Sequence, residues 1–218
     1  MYRIVHLIRR DLMLQKGQRT LLFAIVLSVV AGIVVANSPA FAVGTIMLVA
    51  YLMTVYVNAY DFKYNAELGY RSLPVPPATL IISRYLAVVV FAALSLGISI
   101  AASLVLRATG VIRLDSGWTL PLVTLTLSAV GLYFAVFFPL YYKLGYMSSR
   151  WVNYFLMIGL YIGLGRMQSS GPFSPSIDAP TMREQLSALD LGPVLLAALV
   201  LFILSMLLSI RIDRSREL

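Results

Sequence analysis

Residues 59–80 read AYDFKYNAELGYRSLPVPPATL, and the fold turns on how they are read. Upstream, the 41 residues from Thr20 to Tyr60 carry no charge, and downstream none appears from Tyr85 to Leu106. Between these apolar runs stand Asp61, Lys63, Glu67 and Arg71, followed by Pro74, Pro76 and Pro77. Ionised side chains are expensive in hydrocarbon, so this segment is where the chain leaves an apolar phase before returning to it. Lys63, Ala66, Glu67 and Leu68 are good helix formers, and Asp61 suits a helix N-terminus. Pro74 forces the preceding residue out of helical geometry and ends the segment sharply. The stretch reads as a short, wet helix in a polar loop 60–79, available to a partner; a plain solvated loop is the alternative.

Composition supports the apolar phase being a bilayer. Of 218 residues, 60% are hydrophobic and 12% charged, with a mean hydropathy of +0.88, against about 45–50% and about 25% in soluble domains. A bilayer crossing takes roughly 20 apolar residues, so 20–60 is too long for one span, and Asn37, Ser38 and Pro39 mark a turn inside it. The predicted fold is an all-α integral membrane protein, a single domain over 1–218 with six spans at about 20–36, 40–59, 80–106, 118–141, 150–166 and 191–210. The fifth is the short one, with 15 uncharged residues between Arg150 and Arg166. Gly159 and Gly163 form a GxxxG pair in it, which lets helix backbones approach closely, the partner being a helix of this chain or of a second copy.

With six spans both termini share a side, and 13 of the 17 basic residues fall there. The positive-inside rule makes that side cytoplasmic, and the net charge of +8 becomes a topology signal and an attraction to anionic lipid, not a nucleic-acid signal. No leader with a cleavage site is recognisable. Residues 2–16 place Ile4, Val5, Ile8, Leu12 and Met13 at helical spacing, with the basic residues largely elsewhere. This predicts an interfacial amphipathic helix over 1–17, or else a basic lead-in that only sets topology. On the outer side, 168–190 opens with Gly- and Pro-rich loop chemistry, and Thr181 and Glu184 have the spacing of a capping box for a short helix before the sixth span.

The chemistry is defined by what is missing. The expected spans hold no Asp or Glu, the only histidine is His6, and there is no cysteine and no GxxxxGK[ST] phosphate loop. No metal, catalytic or cofactor site is predicted, and no internal source of energy. Tyr133, Tyr154 and Tyr161 are mildly polar positions within spans. They read as packing and belt residues or as walls of a translocation path for amphipathic cargo.

The stretch YDFKYNAELGYRSLPVPPATLIISRYL (60–86) resembles the signature of small ABC type-2 permeases. An aromatic-Asp-x-Lys start is met by Tyr60, Asp61 and Lys63. A Ser-Leu-Pro-Val core is met by Ser72 to Val75, and a basic-Tyr-Leu close by Arg84, Tyr85 and Leu86. Phe62 stands where an acid is usual, and Pro76-Pro77 where a polar or basic pair is usual. The branch it most resembles includes permeases of exporters for phenol-soluble modulins and antimicrobial peptides, in the bacterial cytoplasmic membrane. The resemblance implies two permease chains, identical or paired, working with two copies of a separate ATPase that binds ATP and Mg. The loop after the second span would be a coupling helix seated in the ATPase and braced by the N-terminal helix. Asp61, Lys63, Glu67, Tyr70 and Arg71 would contact the ATPase, with Leu73 and Pro74 fixing the loop's return. The competing expectation is a non-transporting scaffold or immunity protein that binds a peptide or membrane partner.

Overall fold

The computed structural model describes residues 2–17, 19–35, 38–64, 76–110, 117–168 and 191–215. Among these every element is a helix: α1 (Tyr2–Gly17), α2 (Thr20–Val34), α3 (Pro39–Lys63), α4 (Pro77–Ala108), α5 (Leu120–Gln168) and α6 (Gly192–Arg214). The segment 65–75, expected to hold a coupling helix, and 169–190, expected to hold an outer helix, lie outside the described residues.

Proline sets four of the starts. Pro39, Pro77, Pro121 and Pro193 each occupy the first or second helical position, where a missing N–H costs nothing. Between α1 and α2 the helix breaks at Arg19, which takes a left-handed φ of 59°, and the two axes bend by 86°.

Four segments are long and apolar enough to cross a bilayer: Pro39–Lys63, Ala78–Ala108, Leu120–Ser149 and Gly192–Arg214. The bent pair of α1 and α2 brings the number to five. At 15 residues, α2 spans only ~22 Å, short of the ~30 Å hydrocarbon core. The apolar helix Trp151–Gly163 is shorter still.

α5 is where the sequence reading and the fold part company. A loop was expected at 142–150, yet the residues on both sides are helical up to a single break at Gly145 (φ 78°, ψ 173°). That backbone conformation is open to glycine and strained for other residues. The hydroxyl of Tyr133 donates to Oδ1 of Asn153, residues that a straight helix would hold ~30 Å apart. The chain therefore doubles back at Gly145, and α5 is a hairpin of two arms with almost no loop.

α3 is the central helix, with 15 of its 25 residues buried, and three clusters surround it. Met47, Ala50 and Tyr51 pack with Tyr85 and Val88 of α4 and with Tyr133, Phe134, Phe137 and Phe138 of α5. Val43 and Ile46 pack with Ala31, Leu96 and Leu122, and Val49, Met53 and Val57 with Ala24, Ala87 and Phe91. Between helices in lipid, close contact and polar pairing replace the hydrophobic effect, and both occur here. A Cβ on Gly32 of α2 would lie 2.5 Å from the Ser99 carbonyl oxygen of α4, while Ser28 and Ser95 share a hydrogen bond of 2.8 Å between the same helices. Ser205 of α6 donates to the Ala135 carbonyl (2.7 Å). With its one proton so used, it accepts from Tyr85 (2.8 Å), which then accepts from Ser209 (2.8 Å).

Among the described residues the GxxxG pair has no close partner. A Cβ on Gly159 or Gly163 would meet nothing there within 4 Å, so neither glycine brings another described helix close.

Candidate coupling site

α3 ends and α4 begins on either side of the 65–75 segment, and α1 lies across both. Four charged side chains close this junction. The Arg10 guanidinium pairs with Asp11 at 2.6 Å and with Asp61 at 3.6 Å. Arg84 pairs with Asp11 at 3.6 Å and closely with Asp61. Each acid thus faces both arginines, in a neutral square. The side chain of Asp11 is 2% exposed and that of Asp61 13%. Removing such carboxylates from water is tolerable only with charged partners. One turn further along α1, the buried Gln15 donates its amide to the Met53 carbonyl at 2.7 Å.

The buried side of α1 is therefore not the apolar stripe expected from spacing. Ile8 and Leu12 do pack against the Met53 cluster, but Asp11 and Gln15 are buried beside them, while Val5 and Met13 are 62% and 55% exposed. The helix turns its charge-matching side to α3 and α4.

Of the residues expected at an ATPase contact, Asp61 is half-buried and engaged by Arg84 and Arg10. Its neighbour Lys63 is exposed, its Nζ 5.4 Å from the Tyr64 ring centroid. Glu67, Tyr70, Arg71, Leu73 and Pro74 lie outside the described residues. Phe62, which replaces the usual acid, stacks on Tyr146 at 4.9 Å and 24°, joining the end of α3 to the turn of the α5 hairpin. Arg10, Asp11 and Tyr146 were not singled out from sequence. Asp11 is the sole acid before residue 61, and that was the signal available.

The three tyrosines considered for a path do not share a surface. Tyr133 is buried, edge-on to Tyr51 at 6.2 Å and bonded to Asn153. Tyr161 packs at the margin of the same cluster. Tyr154 is 47% exposed beside Trp151.

These features define a multi-pass helical membrane protein with a polar junction at one end of its bundle. The chain belongs to the ABC-2 family of transporters: the profile described as ABC-2 family transporter protein matches residues 6–213. No curated protein and no solved structure matches it. Membership makes the chain a membrane transport component and implies an ABC ATPase as partner.

Proposed function

We propose that the protein is the permease subunit of an ATP-driven exporter, worked by a separate ATPase that docks on the 65–75 segment from the cytoplasm. The observation that carries this reading is the charge square. It ties Asp61 before the segment and Arg84 after it to Arg10 and Asp11 of α1. A push on a segment anchored in this way is delivered to three helices at once. A scaffold has no evident use for such an anchor.

In this reading the short α2 and the second arm of α5 complete six crossings. α1 lies at the inner membrane surface, and both termini face the cytoplasm of a bacterial cell. Two permease chains work together, and Gly159 and Gly163, without a close neighbour among the described residues, are the natural place for the second copy. ATP and Mg belong to the ATPase. The cargo is amphipathic or hydrophobic, with peptide favoured by the resemblance to modulin exporters.

The test is the double charge reversal Glu67→Lys with Arg71→Glu, assayed with the ATPase that co-purifies with the protein. Export should stop and stimulation of ATP hydrolysis by the permease should disappear, while the variant still inserts in the membrane. Stimulation equal to the wild type sinks the assignment of this segment.

A further inference from the structure

A second polar feature lies near the junction and has no part in the charge square. A cavity of about 10 Å³ sits between α3 and both arms of the α5 hairpin, its wall including Asn58, Phe137, Tyr141, Tyr146, Ser149 and Asn153. That volume is at the threshold for one water. Asn58, Ser149 and Asn153 are 3%, 2% and 1% exposed. Ser149 is occupied with the Tyr146 carbonyl at 2.9 Å and Asn153 Oδ1 with Tyr133. Nδ2 of Asn58, fully enclosed, has no hydrogen-bond partner among the described residues. A buried donor left in that state costs about 1–3 kcal/mol, and more where no lipid group can substitute for water.

The wall also says what could satisfy it. Among the described residues no charged side chain lines the cavity, so a phosphate, carboxylate or ammonium would enter with no charged partner there. What fits is a neutral oxygen acceptor, with Phe137, Tyr141 and Tyr146 beside it in the wall. Asn58 lies in the last two turns of α3, and Tyr146 follows the hairpin turn, so the cavity is at the same end of the bundle as the charge square. The wall has two halves: Val55 and Asn58 on α3, and the rest on a hairpin whose turn is pinned to α3 by the stack of the exposed Phe62 on the half-buried Tyr146.

We infer that this cavity is the closed form of an inner inlet for cargo. At rest it holds one water that accepts from Asn58 Nδ2. When α3 and the hairpin part, Asn58 donates instead to a neutral carbonyl of the cargo. The last turn of an amphipathic helical peptide presents such carbonyls, since its final four have no partner within the helix. The inlet deepens the exporter reading and rests on it for direction, because only an exporter takes up cargo at this end.

The chain has no cysteine, so the near-isosteric Ser149→Cys can be labelled without background. The protein is placed in nanodiscs and treated with a charged, water-soluble methanethiosulfonate. The probe for cargo is a capped amphipathic peptide of Leu, Lys and Ser. Slow labelling of Ser149→Cys is expected from spontaneous opening, and none of Ser95→Cys, a control equally buried between α2 and α4. Adding the peptide should slow the labelling. The further change Asn58→Leu should weaken that protection about fivefold, the loss expected for one neutral hydrogen bond of about 1 kcal/mol. With the ATPase and ATP present, labelling should rise about tenfold, as when an open form grows from about 1% to about 10% of molecules.

A cysteine at 149 that stays inert in both arms overturns the inlet. Labelling that the peptide does not slow identifies a hydration site only and overturns the role in cargo uptake. Protection indifferent to Asn58→Leu removes the assigned donor and overturns the recognition. The peptide arm uses the permease alone, so it separates the two readings. If protection holds while no ATPase binds or is stimulated, the exporter reading fails and the site stands.

Discussion

Arg84 faces two acids and so does Arg10, and this makes the junction a square instead of two independent pairs. The distinction has a measurable consequence. Arg84→Ala leaves two enclosed carboxylates with one arginine and should destabilise the protein by about 3 kcal/mol, read as a lower thermal midpoint in detergent. For an isolated pair, exchanging the partners as Asp61→Arg with Arg84→Asp would restore stability. Here the exchange sets position 61 against Arg10 and position 84 against Asp11, so the double variant should stay as unstable as Arg84→Ala. Full rescue would show that Asp61 and Arg84 act alone. A second residue-scale test concerns Gly32. Because its missing Cβ would lie 2.5 Å from a backbone oxygen of α4, Gly32→Ala should cost about 1–3 kcal/mol through separation of α2 from α4. A thermal midpoint equal to the wild type would mean the helices yield without cost.

At the scale of elements, the α5 hairpin depends on one backbone conformation. Gly145 combines φ 78° with ψ 173°, and a side chain there meets no neighbour within 4 Å. The penalty for Gly145→Ala is therefore conformational, about 1–3 kcal/mol, with no steric part. It should appear as a lower thermal midpoint, and Gly145→Asn should lose as much, because positive φ with extended ψ is essentially confined to glycine, unlike the left-handed helical region that Asn tolerates. A midpoint equal to the wild type for either variant would show that the turn forms without this conformation. The same hairpin explains why a loop was expected and hardly any was found. Lys143 and Arg150 bracket the turn in a polar stretch, which composition reads as a connection. Pairing across the arms by Tyr133 and Asn153, distant in sequence, is what lets the turn shrink to a single glycine. α1 gave the other departure. Its spacing put Ile8 and Leu12 on an apolar stripe, and they do pack inward, but Asp11 and Gln15 accompany them because Arg84 and the Met53 carbonyl wait on α3 and α4.

For the whole molecule, the prediction is orientation. Lys63 and Thr109 are exposed at opposite ends of the bundle, and the absence of cysteine makes single-cysteine labelling clean. In intact cells an impermeant maleimide should modify Thr109→Cys and leave Lys63→Cys untouched until the membrane is opened. The reverse pattern would place the charge square on the outer face, where no ATPase could reach it.

Amino-acid order alone determined that this chain is helical and membrane-bound, since charge-free runs of such length have no other stable state in hydrocarbon, where each backbone group must be satisfied within its own helix. It also brought out the polar 59–80 stretch and the resemblance to ABC type-2 permeases, which family membership supports at that level and not at the level of the exporter branch. Tertiary structure decided which charges meet. Arg10, Asp11, Asp61 and Arg84 lie on three helices, and no local pattern relates residue 11 to residue 84. It likewise decided that Asn58 Nδ2 lacks a partner among the described residues, because whether a buried amide is satisfied depends on helices far along the chain, not on its neighbours in sequence.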